Sequence, residues 1–227
     1  MQLDHRRIAV TGAFGALGAA TVQAALGAGA RVVAIDRTAA PSDGLGDATC
    51  LGGVDLADPR AAKEALAAAA QALGGLDALV NIAGTFRYET LADGNLDTWD
   101  LLYRVNLRTA VAASQAALEH LQTGGRIINI GAASALKAGA GIGAYTASKS
   151  GVMRLTEALA EELKDRDITV NALLPSILDT APNRADMPKA DFGRWVKPQQ
   201  LADVILFLLS DQASAITGAL IPVTGRV

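Results

Sequence analysis

Short apolar runs alternate with longer amphipathic stretches along the whole chain. The short runs are rich in Val and Ile and lack strict polar alternation, which is typical of parallel strands buried on both faces. They lie at residues 8–11, 31–36, 49–54, 78–82, 126–130, 169–174 and 219–223. Between them, the periodicity predicts helices over residues 16–28, 59–73, 96–121, 144–166 and 199–209.

Local signals at the ends of these segments support the alternation. Asp58 followed by Pro59 provides an N-cap and a preset first helical turn. We interpret Gly124-Gly125 as the end of the long third helix. Repeated strand–helix units predict an α/β fold: a single doubly wound, Rossmann-type domain over residues 1–227, with a seven-stranded parallel sheet. Residues 181–196, interrupted by Pro, Arg and aromatic residues, are predicted to be a loop or lid.

Composition and charge exclude several classes of protein. The formal net charge of −3 has the wrong sign for a general nucleic-acid binder, and no basic tail is present. No apolar run approaches the roughly 18 residues that span a bilayer, and the first residues show no signal-peptide pattern. The single cysteine, Cys50, cannot form an intrachain disulfide and fits a reducing compartment. We therefore expect a cytoplasmic protein that acts on a small molecule, without nucleic-acid, membrane or metal partners.

The first strand leads into a glycine-rich turn that precedes a helix. Small residues let the backbone turn tightly and approach a pyrophosphate, whose charge is stabilised at the helix N-terminus. Glycine turns without ligands also exist, but the strand–turn–helix context favours a dinucleotide site. The turn reads Thr11-Gly12-Ala13-Phe14-Gly15-Ala16-Leu17-Gly18, and its candidate cofactor-binding residues are Gly12, Phe14, Gly15, Leu17 and Gly18.

A carboxylate at the end of the second strand indicates which cofactor, NAD(H) or NADP(H), the protein prefers. Asp36 lies eighteen residues after Gly18, where it can accept both adenosine ribose hydroxyls and would repel a 2′-phosphate. Arg37 can partly offset that repulsion, so we predict a preference for NAD(H) over NADP(H) and not strict exclusion. Further cofactor contacts are expected where later strands end, since ligands of open parallel sheets lie over that edge. These candidates are Asp55, Leu56, Asn81, Ala83 and Gly84.

The catalytic candidates are Tyr145 and Lys149, which the i, i+4 spacing puts on one helix face. A neighbouring ammonium favours phenolate, so we expect Lys149 to lower the pKa of the Tyr145 phenol and make it a usable acid or base. An ordinary amphipathic helix with an exposed lysine would show the same spacing. The pair alone does not decide between these alternatives.

Taken together, the motifs resemble those of the short-chain dehydrogenase/reductase family over nearly the whole chain. The resemblance implies a nicotinamide cofactor, Tyr145 as proton donor or acceptor, and Lys149 binding the nicotinamide ribose. It also implies that Asn106 holds a proton-relay water, that Pro175, Ile177 and Thr180 lie beside the nicotinamide, and that the chain forms a homo-tetramer or homo-dimer. The motifs are Thr11-Gly12…Gly18, Asn81-x-Ala83-Gly84, Tyr145-x-x-x-Lys149 and Pro175-x-x-x-x-Thr180.

The chain departs from the family pattern at several positions. Three are replacements near the cofactor: Ala16 where a glycine is usual, Ile82 where a second asparagine is usual, and Ser176 after Pro175. The fourth departure changes the chemistry of the site. The family normally has a serine thirteen residues before the tyrosine, and this chain has Ala132 at that position. Ser134 could substitute only if the loop shifts.

A closer resemblance is to dihydropteridine reductase, which also lacks the serine, uses NADH and reduces a quinonoid pterin. It rests on residues 131–136 and on residues 174–195. Phe86, Tyr88 and Trp195 are candidates to line a pocket for a flat ring, although packing within loops is an equal alternative. Two classes of function remain: an NAD(H)-dependent oxidoreductase acting on a carbonyl, alcohol or quinonoid substrate, or a nucleotide-binding redox sensor with little turnover.

Overall fold

Seven strands, all parallel, form one sheet in the computed structural model, which describes residues 2–227. The sheet order is 3-2-1-4-5-6-7, so the winding direction reverses between the first and fourth strands, where such sheets bind ligands. The predicted doubly wound α/β fold is confirmed. The strands are β1 (Arg7–Thr11), β2 (Arg31–Ile35), β3 (Thr49–Leu51), β4 (Leu76–Asn81), β5 (Leu121–Ile130), β6 (Thr169–Pro175) and β7 (Leu220–Val223).

Helices cover both faces of this sheet. α1 packs against α7 on one face, whereas α2, α4 and α5 cover the other. In β1, Ile8 and Val10 belong to the first core and Ala9 to the second, which explains why the strands show no polar alternation. The helices are α1 (Ala16–Gly27), α2 (Pro59–Leu73), α3 (Leu96–Leu102), α4 (Thr109–Ala117), α5 (Gly143–Leu163), α6 (Ala181–Asp186) and α7 (Pro198–Leu209).

The predicted third helix is interrupted and ends early. A π-helical turn over Tyr103–Arg108 separates α3 from α4, and α4 ends at Ala117. The interpretation of Gly124-Gly125 as the end of this helix is wrong, because both glycines lie within β5. Pairing of Leu121 with Leu76 extends that strand towards its N-terminus, with a shift of register before Ala78. Pairing between strands thus overrides the local turn signal.

Three smaller differences also come from tertiary contacts. β3 is shorter than predicted and ends at Leu51. The predicted lid contains α6 and a 3-10 turn over Phe192–Arg194. The ends of this segment are held together, since Val196 N–H donates to the Ile177 carbonyl (3.0 Å) and Asp179 N–H to the Val196 carbonyl (2.8 Å). Within residues 2–227, no helix has the length and hydropathy needed to cross a membrane.

Candidate active site

The glycine turn is built so that only some of its positions require glycine. Gly12 has a φ of 63°, and a Cβ there would lie 2.6 Å from the Ala83 backbone nitrogen. A Cβ on Gly18 would lie 2.6 Å from the Ala13 Cα. Gly15 and Ala16, in contrast, are exposed at the start of α1. The replacement of the usual glycine by Ala16 therefore leaves the turn intact, and the turn retains the cradle that a pyrophosphate needs.

Asp36 lies where the sequence placed it, at the end of β2 beside the glycine turn. Its carboxylate accepts hydrogen bonds from the Phe14 backbone N–H (3.0 Å) and from the backbone N–H (2.9 Å) and hydroxyl (3.0 Å) of Thr38. These three donors fix its orientation and leave about one acceptor site, on Oδ2, because an ionised carboxylate has about four. Arg37 is exposed next to it.

The loop after β3 carries Asp55 and Leu56. Leu56 is buried, whereas Asp55 is half-exposed. The Asp55 carboxylate accepts from the Ala57 N–H (3.0 Å) and from Arg104 (2.6 Å). The hydrogen bond from Arg104 is the largest influence on the pKa of Asp55 and lowers it. The Asp55 carboxyl group is therefore ionised at neutral pH.

The end of β4 connects the glycine turn with the catalytic candidates. The Thr11 hydroxyl accepts from the backbone N–H groups of Ile82 (3.1 Å) and Ala83 (3.3 Å). The Asn81 amide is buried and donates to Ser114 (3.0 Å) and Asn129 (2.9 Å), so its side chain faces the interior of the protein. Asn81 can therefore contact a cofactor only through its backbone atoms.

Lys149 and Asn106 come together beside Gly84, and Tyr145 lies one helical turn before Lys149 on α5. Lys149 is 5% exposed, and its ammonium donates to the Ile130 carbonyl (2.8 Å). A Cβ on Gly84 would lie 3.1 Å from Asn106 Oδ1 and 3.2 Å from Lys149 Nζ. Glycine at this position thus leaves space between the amide and the ammonium.

Asn106 is held by two residues that the sequence argument missed. Its Oδ1 accepts from the Thr85 N–H (2.7 Å), and its Nδ2 donates to the Thr85 carbonyl (3.0 Å) and to the Ser148 hydroxyl (2.9 Å). Ser148 in turn donates to the Tyr145 carbonyl (2.7 Å). A signal for Ser148 was available, since it lies three residues after Tyr145 in the same helix. Thr85 acts through its backbone, which no sequence pattern reveals.

The protonation properties of the pair differ from the prediction. Burial raises the pKa of Tyr145 to about 12, and burial lowers the pKa of Lys149 to about 8. The expectation that Lys149 lowers the phenol pKa is therefore wrong for this structure. The physical reason is that loss of solvent disfavours the charged form of both groups, while the ammonium is directed at the Ile130 carbonyl.

The position of the missing serine is occupied by a methyl group. Ala132 is buried in an extended conformation two residues after the end of β5. Ser134 lies in the following 3-10 turn, Ala133–Ala135, and is partly exposed. Within residues 2–227 its hydroxyl makes no hydrogen bond.

Of the three aromatic candidates, one borders the catalytic tyrosine. Phe86 is 48% exposed and contacts the Tyr145 ring edge-to-face, with 5.0 Å between the centroids. The exposed Tyr88 ring covers Gly141. Trp195 is 5% exposed and packs on Phe192 at 4.8 Å between centroids. For Trp195 the structure therefore favours packing within the lid over a pocket role.

The remaining candidates lie at the same edge of the sheet. Pro175 ends β6, and the Ile177 carbonyl holds the base of the lid through Val196. Thr180 is the N-cap of α6, and its hydroxyl accepts from the Asn183 N–H (3.4 Å). The lid thus begins at the carboxyl end of β6, on the side of the sheet that carries the glycine turn.

Comparison with known proteins identifies the family. The family described as Enoyl-(Acyl carrier protein) reductase matches residues 12–225. The chain is 32% identical to the 3-oxoacyl-[acyl-carrier-protein] reductase FabG of Thermotoga maritima, over 99% of this chain and 98% of that protein. A short-chain dehydrogenase/reductase from Serratia marcescens has a TM-score of 0.90 at 32% identity, covering 100% of this chain and 99% of that one. A short-chain dehydrogenase from Burkholderia cenocepacia, in complex with NADP, has a TM-score of 0.87 at 32% identity, covering 99% and 98%.

The chain therefore belongs to the short-chain dehydrogenase/reductase family of oxidoreductases. The family assignment made from the motifs is confirmed, whereas none of these relatives is a dihydropteridine reductase.

Proposed function

We propose that this chain is an NAD(H)-dependent reductase or dehydrogenase in which Tyr145 exchanges a proton with a small organic substrate. The observation that carries the proposal is that Lys149 and Asn106 meet beside Gly84, while Ser148 links Asn106 to the Tyr145 carbonyl, at the sheet edge that also holds the glycine turn. The bound nicotinamide would supply or accept the hydride. The residues fit such a cofactor, because Gly12 and Gly18 let the turn pack closely on the backbone of Ala83 and Ala13 before the N-terminus of α1, and Asp36 presents a fixed acceptor. The single cysteine is consistent with a reducing, cytoplasmic setting.

The chain's own residues would perform the proton chemistry. With a pKa of about 12, the Tyr145 phenol keeps its proton at neutral pH and is ready to donate it when a substrate is reduced. Lys149, with a pKa of about 8, is mostly charged at neutral pH, and its ammonium donates to the Ile130 carbonyl. Asn106 orders the neighbouring backbone at Thr85, and Ser148 connects this amide with the first turn of α5.

Asp36 should decide between the two forms of the cofactor. We expect the protein to bind NAD(H) at least about tenfold more tightly than NADP(H), or about 1.4 kcal/mol, because a 2′-phosphate would face a carboxylate. Asp36→Ala should shrink this preference. Titration of both reduced cofactors by fluorescence measures it. Tighter binding of NADPH by the native protein would overturn the assignment. The NADP complex of the Burkholderia relative shows that this fold can bind the phosphorylated form.

We propose further that the substrate is an electron-poor conjugated ring of the quinonoid dihydropterin type. Ala132 offers no donor to a developing negative charge, so an unactivated ketone receives help from Tyr145 alone. A quinonoid ring needs less help, because hydride addition restores a stable conjugated system. The half-exposed Phe86 ring beside Tyr145 suits a flat substrate.

This substrate proposal predicts a ranking of acceptors. NADH oxidation should be faster with quinonoid dihydropterin than with simple ketones or 3-oxoacyl thioesters. Ser134→Ala should change turnover only slightly, whereas Ala132→Ser should raise ketone reduction because it restores the donor. Steady-state assays over the panel measure these ratios. Efficient turnover of ketones or thioesters that Ser134→Ala abolishes would contradict the proposal and favour an ordinary carbonyl reductase.

A second candidate is a redox sensor that binds the cofactor with little turnover. The observation that favours it is the methyl group of Ala132 where the family carries a hydroxyl. Tight NADH binding without turnover on carbonyl, quinone and pterin acceptors would support this alternative. Against it stands the assembled set of Tyr145, Lys149 and Asn106, which binding alone does not require.

We also propose that the protein is a homo-dimer or homo-tetramer. Trp99, Tyr103 and Val111 are exposed on one face of the α3–α4 helix, and small residues of α5 lie next to them. A cleft of about 130 Å³ runs between Trp99, Tyr103, Leu107 and Ala147. α5 is about 30 Å long. Together with the α3–α4 helix it offers roughly the area that each partner buries in a stable two-fold interface.

Light scattering should find the dimer or tetramer, and Val111→Glu should shift it towards monomer. A native monomer at micromolar concentration would contradict the proposal.

A further inference from the structure

The three residues that follow β7 contact both ends of the lid. We call this segment, Thr224–Arg226, the strap. On the side where the chain enters the lid, the Ser176 hydroxyl donates to the Thr224 carbonyl (2.7 Å). Where the lid ends, the Arg226 N–H donates to the Arg194 carbonyl (3.0 Å), and Arg194 Nε donates to the Arg226 carbonyl (2.8 Å). The strap therefore joins the two ends of the lid to each other.

The strap lies directly on the lid and is continuous with the sheet. Gly225 has a φ of 63°, and a Cβ there would lie 2.7 Å from the Arg194 carbonyl oxygen. In the sheet, Pro175 pairs with Val223, and the Ser176 N–H donates to the Val223 carbonyl (3.2 Å). The strap thus has a rigid base in the β6–β7 pair.

The hydroxyl at position 176 is a feature of this chain, because a glycine is usual after Pro175 in the family. Glycine would keep the backbone hydrogen bond to Val223 and lose the side-chain hydrogen bond to Thr224. The side-chain bond alone therefore distinguishes how this chain fastens the strap at the start of the lid.

Ser176 lies on the catalytic side of the sheet. Pro175 ends β6, and the neighbouring strand β5 carries the Ile130 carbonyl that accepts from the Lys149 ammonium (2.8 Å). Asp36 follows β2, which lies beyond β4 and β1 in the order of strands. A dinucleotide bound along this edge would therefore have its nicotinamide half, and not its adenosine half, next to Ser176.

Between its two ends, the lid is held mainly by its own side chains. Arg184 forms two hydrogen bonds with the Asp179 carboxylate (2.5 and 2.8 Å) and lies over the Phe192 ring, 4.8 Å from its centroid. Arg184 is exposed, and exposed ion pairs contribute little to stability. The position of α6 thus depends on how firmly the ends of the lid are held.

We propose that Ser176 is a positioning residue that fastens the strap to the lid and so holds the lid over the nicotinamide half of the cofactor site. This inference rests on the proposed NAD(H) site. With the hydroxyl bonded to Thr224, both ends of the lid are fixed, and Ile177 and Thr180 stay beside the nicotinamide. Without it, the lid is fastened only through Arg194 and its own base, so it opens more often.

The test compares Ser176→Ala with Ser210→Ala. Ser210 makes the same kind of hydrogen bond, from its hydroxyl to the Phe207 carbonyl (2.7 Å). It lies at the opposite edge of the sheet, because the next residue, Asp211, pairs with Arg6 just before β1. Each variant loses one hydroxyl donor and keeps its Cβ, so Ser210→Ala is a matched control.

Three quantities are measured for each protein. Fluorescence titration gives the affinity for NADH, calorimetry gives the affinity for ADP-ribose, which lacks the nicotinamide, and trypsin cleavage after the exposed Lys189 reports opening of the lid. We expect Ser176→Ala to bind NADH about fivefold more weakly than the native protein, as loss of one net hydrogen bond implies. Its affinity for ADP-ribose should not change, and its cleavage should be faster. Ser210→Ala should match the native protein in all three.

Gly225→Ala gives an independent check from the other end of the strap. Its Cβ would push the strap away from the Arg194 carbonyl, so it should show the same pattern as Ser176→Ala. Native NADH affinity or native cleavage in Ser176→Ala would overturn the inference, as would equal losses for NADH and ADP-ribose, and the proposed function would survive these results. Failure of the native protein to bind NADH would instead refute the proposed function, and this inference with it.

Discussion

Replacing Tyr145 by phenylalanine is expected to lower turnover by roughly 10²–10⁴-fold while cofactor binding survives. Phenylalanine keeps the ring and its edge-to-face contact with Phe86 but removes the only proton that this residue can transfer. Steady-state kinetics give the change in kcat, and fluorescence titration of NADH shows whether the site is intact.

Tyr103→Phe provides the control for this prediction. Tyr103 is 55% exposed on the π-helical turn, so loss of its hydroxyl should leave kcat within about twofold. Near-native activity of Tyr145→Phe with both ketone and quinonoid acceptors would show that Tyr145 is not the acid. A loss confined to ketones would agree with a quinonoid substrate that needs little proton assistance.

Replacing Lys149 by methionine should stabilise the protein at pH 7 and lower its activity. Burial lowers the pKa of Lys149 to about 8 from its ordinary value of 10.5. Below pH 8 the folded protein must carry a buried ammonium, whereas between pH 8 and 10.5 the unfolded chain binds more protons than the folded one. The free energy of unfolding therefore gains a contribution as pH rises through this window. Methionine carries no charge, so this cost disappears. The free energy of unfolding at pH 7 should rise by about 2 kcal/mol, after the lost hydrogen bond to the Ile130 carbonyl is deducted.

The gain should shrink as pH rises from 8 to 10.5, because the folded lysine is then neutral and the unfolded lysine progressively loses its proton. Denaturant unfolding of both proteins at pH 7 and pH 10 measures this, and the titration of Tyr145 cancels in the difference. Lys164→Met, at an exposed lysine paired with Glu161, should leave the free energy of unfolding nearly unchanged at either pH. A stability difference for Lys149→Met that does not depend on pH would contradict the prediction. Lys149→Ala should lower both turnover and cofactor affinity.

The repeating pattern of the chain was sufficient to predict the order of elements and the class of fold. Apolar runs without alternation require two covered faces, and β1, which contributes Ile8 and Ala9 to opposite cores, has them. Spacing within one helix was equally informative, because Tyr145 and Lys149 share a face whatever surrounds them. The pattern was misleading where a local signal competed with strand pairing, as at Gly124-Gly125, which lies within β5.

What the sequence determined by itself is therefore local or periodic: the strands and helices, the glycine turn, the carboxylate of Asp36 and the catalytic pair. The protonation of that pair was decided by the tertiary structure, because the pKa values of Tyr145 and Lys149 depend on how much solvent the surrounding elements exclude. The π-helical turn that joins Asn106 to Thr85 and Arg104 to Asp55 was decided there as well. These partners lie 21 and 49 residues apart in the chain, and only the packing of the helix on the sheet edge brings them together.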